Sequence, residues 1–417
     1  MGTSLSSIRA LQTHLAVAED AKLREIVALV DSLPKRGVAD GIIAPLRARL
    51  QRLRPARMLH VGRLLFVPAD CVIIPAASWR RGMVGVPRHV LTCLTSLVRN
   101  AMGAEYSALA ARIVGTMSDD SESILLQGGD LWPRAATILA QAQMPPEWAG
   151  MTGLGLADFT LIVRPLAILL SEAVCIETLV QRGSSGESVE RAMRRCLARA
   201  QTAIASLPEA ADPALTKACL ALLLVVCLDR LPDIEMALIA AGDLAKNNDS
   251  LAPRQAADAA IDAVLDQADV QLSQEHAGPA LPDLLRLAEL LETLEQPGPA
   301  GRPSRKPRVT ALRRALNAHC RARFQGEHAT HLLPGASLLV HTTPTDILTT
   351  LEDCARNMRR LEAVGRMLGG GVYFERAIAD CAKSLPALAP QARRVDLARL
   401  VEILQGPEAA LAMLDAT

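Results

Sequence analysis

The run Leu156–Gln181, LADFTLIVRPLAILLSEAVCIETLVQ, decides how the rest of the chain is read. It is the most apolar helical stretch of the sequence, and a helix with so little polar surface belongs in a core. The spacing predicts a central helix over 156–181, bent at Pro165, which has no N–H to continue the ladder. Two glutamates lie within it, Glu172 and Glu177. Five residues place them about 140° apart around the axis at 3.6 residues per turn. They do not share a face, so paired acid–base work is not expected of them. A membrane-spanning helix needs ~20 apolar residues. Arg164 and Pro165 interrupt residues 159–170, and Asp229 closes residues 218–228, so no membrane insertion is expected.

The composition supports a helical reading of the rest. Half of the 417 residues are apolar but only 2% are aromatic, so Leu, Ala, Val and Ile must fill the interior. Such cores suit helix-on-helix packing. Upstream, helices are predicted over 5–33 and after Asp40. They resume beyond Pro87, where Leu91, Leu94 and Val98 share a face, as do Tyr106, Leu109 and Ile113. Residues 118–130 read as a loop, with Asp130 capping a helix that takes Pro133 in its first turn.

Downstream, helices are predicted at 187–206, 213–230, 232–246, 253–273 and 281–295, separated by proline. The stretch QPGPAGRPSRKPR, 296–308, reads as a linker. Helices follow at 309–324, 344–368, 373–384 and 390–405. The fold expected is mostly α: an irregular helical bundle or a degenerate α-solenoid. Its parts are an N-terminal region over 1–182, a central array over 183–295, the linker, and a C-terminal region over 309–417.

One segment departs from this pattern. RLLFVPADCVIIPAASWRRG, Arg63–Gly82, holds two β-type runs around Pro68-Ala69-Asp70. Its prolines confine it to an edge. A short extended or β-hairpin arm is expected near residues 58–82, laid over a helical layer. Its tip carries Trp79, Arg80 and Arg81, residue types over-represented in protein hot spots.

The net charge is +1, so no global field draws nucleic acid or membrane. The distribution is uneven. Residues 47–99 contain ten Arg and one acid. Residues 229–295 contain fourteen acids and four basic residues, and residues 302–323 contain eight basic residues and no acid. Such blocks pair with one another or with a partner. Only six of the 45 basic residues are Lys; with the Ala and Leu richness, this points to GC-rich, bacterial coding. The nine Cys form no CxxC pair and sit mostly in apolar runs. With no secretory leader read at the N-terminus, the expectation is a cytoplasmic protein with reduced thiols.

Asp258, Asp262, Asp266 and Asp269 recur on one side of a predicted helix, as a solvated face or a docking stripe for a basic partner. His319, Cys320, His328 and His331, with His341 beyond them, supply zinc-ligand types, but their spacing matches no zinc-finger pattern. GRMLGGG, 365–371, follows a helix and lacks the Lys-Ser/Thr of a phosphate loop, so it reads as a helix end. No nucleophile elbow is present. No cofactor is expected. The reading these features favour is a non-catalytic scaffold or adaptor that binds protein partners through helix faces and the Arg/Trp tip. The alternatives are a nucleic-acid-associated protein using residues 47–99 and 302–323, and a helical-bundle enzyme, metal-dependent through the Asp stripe or the His cluster.

Overall fold

The computed structural model describes residues 25–27, 29–30, 56–182, 186–231, 251–273, 281–296, 303–337, 339, 345–388 and 392–415. The chain is mostly α, with a single two-strand parallel pair among the described residues. It divides into two compact units, Met1–Gln267 and Ala268–Thr417. Most of the predicted helix 5–33, the helix after Asp40 and the helix 232–246 lie outside the described residues.

In the first unit, α1 (Val61–Phe66), α2 (Leu91–Met102), α3 (Ala104–Arg112), α4 (Ser121–Gln141) and the short α5 (Trp148–Thr152) lead into α6 (Leu156–Arg182). Next come α7 (Gly186–Ala205), α8 (Pro213–Arg230) and α9 (Leu251–Ser273), of which this unit holds the part up to Gln267. Helix α6 is the hub, packed against α4, α7 and α8. It runs unbroken through Arg164 and Pro165, as the helix predicted over 156–181 does. By length and composition it could cross a membrane, yet 72% of its most apolar window is buried inside this unit.

Helix α8 is buried all round from Cys219 to Leu228, as its composition requires. Asp212 caps it by accepting from the Ala214 N–H at 2.8 Å, and Pro213 opens the first turn. Helix α7 buries Val189, Met193, Cys196, Ala200 and Ile204 on one stripe.

Residues 118–130 correct the sequence reading. The cap is Asp120, which accepts from the Ser123 N–H at 3.0 Å, and α4 runs from there through Gly128, Gly129 and Pro133. Tertiary packing overrides the poor helix propensity of those three residues. A Cβ at Gly128 would overlap the Trp132 ring, and the fully buried Trp132 donates to the Leu64 carbonyl at 2.9 Å.

The arm is present, but its first run is helical. His60 caps α1 through Nδ1, which accepts from the Arg63 N–H at 3.1 Å, so Leu64, Leu65 and Phe66 are buried from a helix rather than a strand. A 3-10 turn, Val67–Val72, packs on α6 and α8. It is tied there by Arg230, which donates to the Val67 carbonyl at 3.3 Å. Gln267 of α9 holds the same turn through the Cys71 carbonyl at 2.9 Å. Only Ile73–Ile74 (β1) is extended, and it pairs with Val86–Pro87 (β2) in parallel, not as a hairpin. Gly85 permits that approach, since a Cβ there would lie 2.8 Å from the Val72 carbonyl oxygen.

The second unit contains α10 (Leu281–Glu295), α11 (Lys306–Gly326), a π-helical turn (Glu327–Leu332) and α12 (Leu333–Ser337). It continues with α13 (Thr345–Met367), α14 (Gly371–Leu388), α15 (Arg394–Gln405) and α16 (Pro407–Asp415). Helix α13 is its hub, packed against α10, α11, α14, α15 and the π turn. At the end of the sequence-defined linker, Pro303–Arg305 form a 3-10 turn and α11 begins at Lys306. Phe324 and Phe374 meet edge to face at 5.3 Å.

GRMLGGG is a packed helix end. A Cβ at Gly365 would overlap the Phe374 ring, and Gly369 takes a φ of +78° to end α13. The side chain of Arg313 caps the freed carbonyls of Met367 and Leu368 at 2.7 and 3.3 Å.

Candidate functional site

The tip of the arm is the loop Pro75–Gly85, between β1 and β2. Two turns shape it. The Ser78 and Trp79 N–H groups donate to the Pro75 carbonyl at 2.9 and 3.0 Å, and the Met83 N–H donates to the Arg80 carbonyl at 3.1 Å. Gly82 supplies a φ of +90°. The Arg80 guanidinium curls back to the carbonyls of Ala77 and Trp79 at 2.7 and 2.8 Å. Trp79 is half-buried, and its indole N–H is enclosed without an acceptor among the described residues.

Arg81 behaves differently from its neighbour. It reaches out of the loop to Asp158 at 2.5 Å, although the two are 77 residues apart. Asp158 is 3% exposed, and its carboxylate also accepts from the Gly155 N–H at 3.2 Å. It therefore sits in the first turn of α6, where the helix dipole favours an anion. Arg81 is exposed, so solvent screens the pair, yet removing it would leave a buried carboxylate with one donor. The pair latches the loop to the head of the core helix.

The latch also joins the loop to a second exposed segment, the turn between α5 and α6. In α5, Trp148 is buried against Phe159 of α6 at 4.9 Å, edge to face. Between these two anchors the chain turns through Gly153 at a φ of +71°. Met151 and Leu156 are left 60% and 63% exposed, and Met83 of the loop 40%. An acid three residues into the most apolar helix, beside Gly-Leu-Gly-Leu, was the available signal.

The other candidate residues are dispersed. On α9, Asp258 and Asp262 are half-buried and Asp266 is exposed, all in the first unit. Asp269 belongs to the second, where it pairs with Arg308 at 2.7 Å. Arg313 likewise pairs with Glu295, so two cations of the second basic segment meet carboxylates of the acidic one.

His319 and Cys320 are neighbours on α11. Burial and the nearby Arg323 push the His319 pKa down, and burial pushes the Cys320 thiol up to about 12. Burial also lowers the His328 pKa on the π turn. The His331 side chain and His341 lie outside the described residues. Among the described residues, no three His, Cys, Asp or Glu side chains come together to hold a metal ion.

The buried acids of α6 are structural pairs. Glu172 accepts from Arg199 of α7 at 3.1 Å through both carboxylate oxygens. Glu177 pairs with Arg230 of α8, with one contact at 2.9 Å. Pointing at different helices, they follow the 140° separation read from the sequence. Arg164 forks onto Glu209 at 3.1 and 3.2 Å and caps α4 through the carbonyls of Leu139 and Ala142. All nine cysteines are free thiols, seven of them buried.

In comparisons with known proteins, no family model, no curated protein and no solved structure matches this chain.

Proposed function

We propose that the chain is a non-catalytic cytoplasmic scaffold or adaptor that binds other proteins through the arm loop. The observation that carries this reading is the latch between Arg81 and Asp158. It holds a loop bearing Trp79, Arg80 and Met83 at the solvent edge, with part of its ordering cost already met by folding. Trp, Met and Arg are the residue types enriched in interface cores. The free, mostly buried thiols support a reducing compartment.

The test is affinity capture with the full chain and with the double variant Trp79→Ala/Arg80→Glu, with and without nuclease. Proteins retained by the native chain through nuclease treatment, and lost by the variant, are the expected outcome. If the same proteins bind both chains equally, the loop is not the binding surface. Species that vanish with nuclease would instead favour nucleic-acid association, whose affinity should also fall steeply with salt.

A further inference from the structure

Resting on that reading, we infer that the partner is an acidic, amphipathic peptide segment of another protein. It would seat on a composite surface of the arm loop and the α5–α6 turn. Two observations fix the surface. The contact between Arg81 and Asp158 at 2.5 Å, with Gly155 3.2 Å from the same oxygen, brings the two segments together. Both then expose apolar side chains: Met83 on one, Met151 and Leu156 on the other. Methionine on a binding face adapts to aliphatic and aromatic anchors of varied shape.

Charge selects the class of partner. Residues 75–99 contain four Arg and no acid, whereas residues 143–161 contain Glu147 and Asp158. Asp158 is taken by Arg81. Arg80 bonds only main-chain carbonyls, and Arg88, at the base of the loop, has no carboxylate partner among the described residues. Both are exposed, so even against Glu147 the two segments keep a positive excess beside their exposed apolar side chains. A guanidinium fork that bonds neutral carbonyls gains most by accepting a carboxylate. Apolar anchors flanked by Asp or Glu meet both demands, and a cationic or purely apolar segment meets one at most.

The experiment is selection of displayed random dodecapeptides on the immobilised full chain, with counter-selection on the Arg80→Glu/Leu156→Asp variant. All of the substituted side chains are exposed, and a matched thermal melt confirms that the variant folds. Enriched peptides should combine Asp or Glu with Leu, Met, Phe or Trp. Their affinity should fall about tenfold with either single substitution. Enriched peptides that depend on Leu156 but carry no excess of acid, and bind Arg80→Glu unchanged, would overturn the acidic partner while leaving the adaptor reading standing. No enrichment over counter-selection would sink both. A labelled single-stranded oligonucleotide whose binding is lost in Arg80→Glu would assign the arginines to phosphate, and would equally overturn the inference.

Discussion

The hub helices of the two units bury charge in opposite ways. In α6 every buried charge is answered from a distant part of the chain: Asp158 by Arg81, Arg164 by Glu209, Glu172 by Arg199 and Glu177 by Arg230. In α13 the buried Glu352 and Glu362 are answered largely from within the helix. Arg356 serves Glu352, and Arg359 and Arg366 serve Glu362, three or four residues away, with Arg399 of α15 adding a contact to Glu352. Two of the α6 pairs clamp it to α7 and α8, and the other two tie it to the arm loop and to the turn between α7 and α8. The α13 pairs form wherever that helix forms and carry less tertiary information.

The sharpest break in this contrast is Arg230→Met. It strands Glu177, 4% exposed, against α8 and releases the 3-10 turn at Val67. The expected loss is about 3 kcal/mol in urea unfolding. The double variant Arg230→Met/Glu177→Gln should recover most of it, because no buried charge is then left over. A loss as small as that of an exposed pair would remove the distinction between clamp and local pair.

Gly365→Ala tests the α13 side by sterics instead of charge. The new methyl would meet the Phe374 ring, so overpacking should cost roughly 1–3 kcal/mol in the same measurement. An unchanged midpoint would mean that the aromatic cluster gives way freely.

A pH titration separates the clamps further. Hydrogen bonds from Arg164 hold the Glu209 carboxyl below its usual value of 4.5. A carboxylate lowered on folding adds stability that is fully present above its unfolded pKa and is lost as pH falls through the folded one. Stability should therefore decline below about pH 4.5, and Arg164→Met should flatten that part of the decline. An identical profile in the variant would contradict the assignment. The smallest effect belongs to Arg366→Ala, which removes an exposed partner of Glu362 while Arg359 remains at 3.0 Å. The unfolding midpoint should not move beyond replicate scatter.

Much of the helical layout was legible because it rests on local physics. The core role of 156–181, the Asp212-Pro213 start of α8 and the glycine end of α13 follow from periodicity and capping. The misreadings share one cause. Gly128 and Gly129 signal a break, and Leu64-Leu65-Phe66-Val67 looks like a strand, yet the Trp132 side chain binds the two segments as helices. Nothing local announces such a contact. The candidate site divides in the same way. Trp79, Arg80 and Arg81 stand out by composition, whereas Met151 and Leu156 matter only because Asp158 brings them to the loop.

By itself the sequence determined the mostly helical class, the identity of the core helix, and the separation of Glu172 from Glu177. Each depends on spacing along one chain segment, which repeats every 3.6 residues whatever surrounds it. Tertiary structure alone decided which arginine answers each buried acid of α6, the parallel pairing of Ile73–Ile74 with Val86–Pro87, and the union of the arm loop with the α5–α6 turn. Those depend on residues 13 to 77 positions apart along the chain, where a charge's partner is set by the desolvation it must escape and not by its neighbours in sequence.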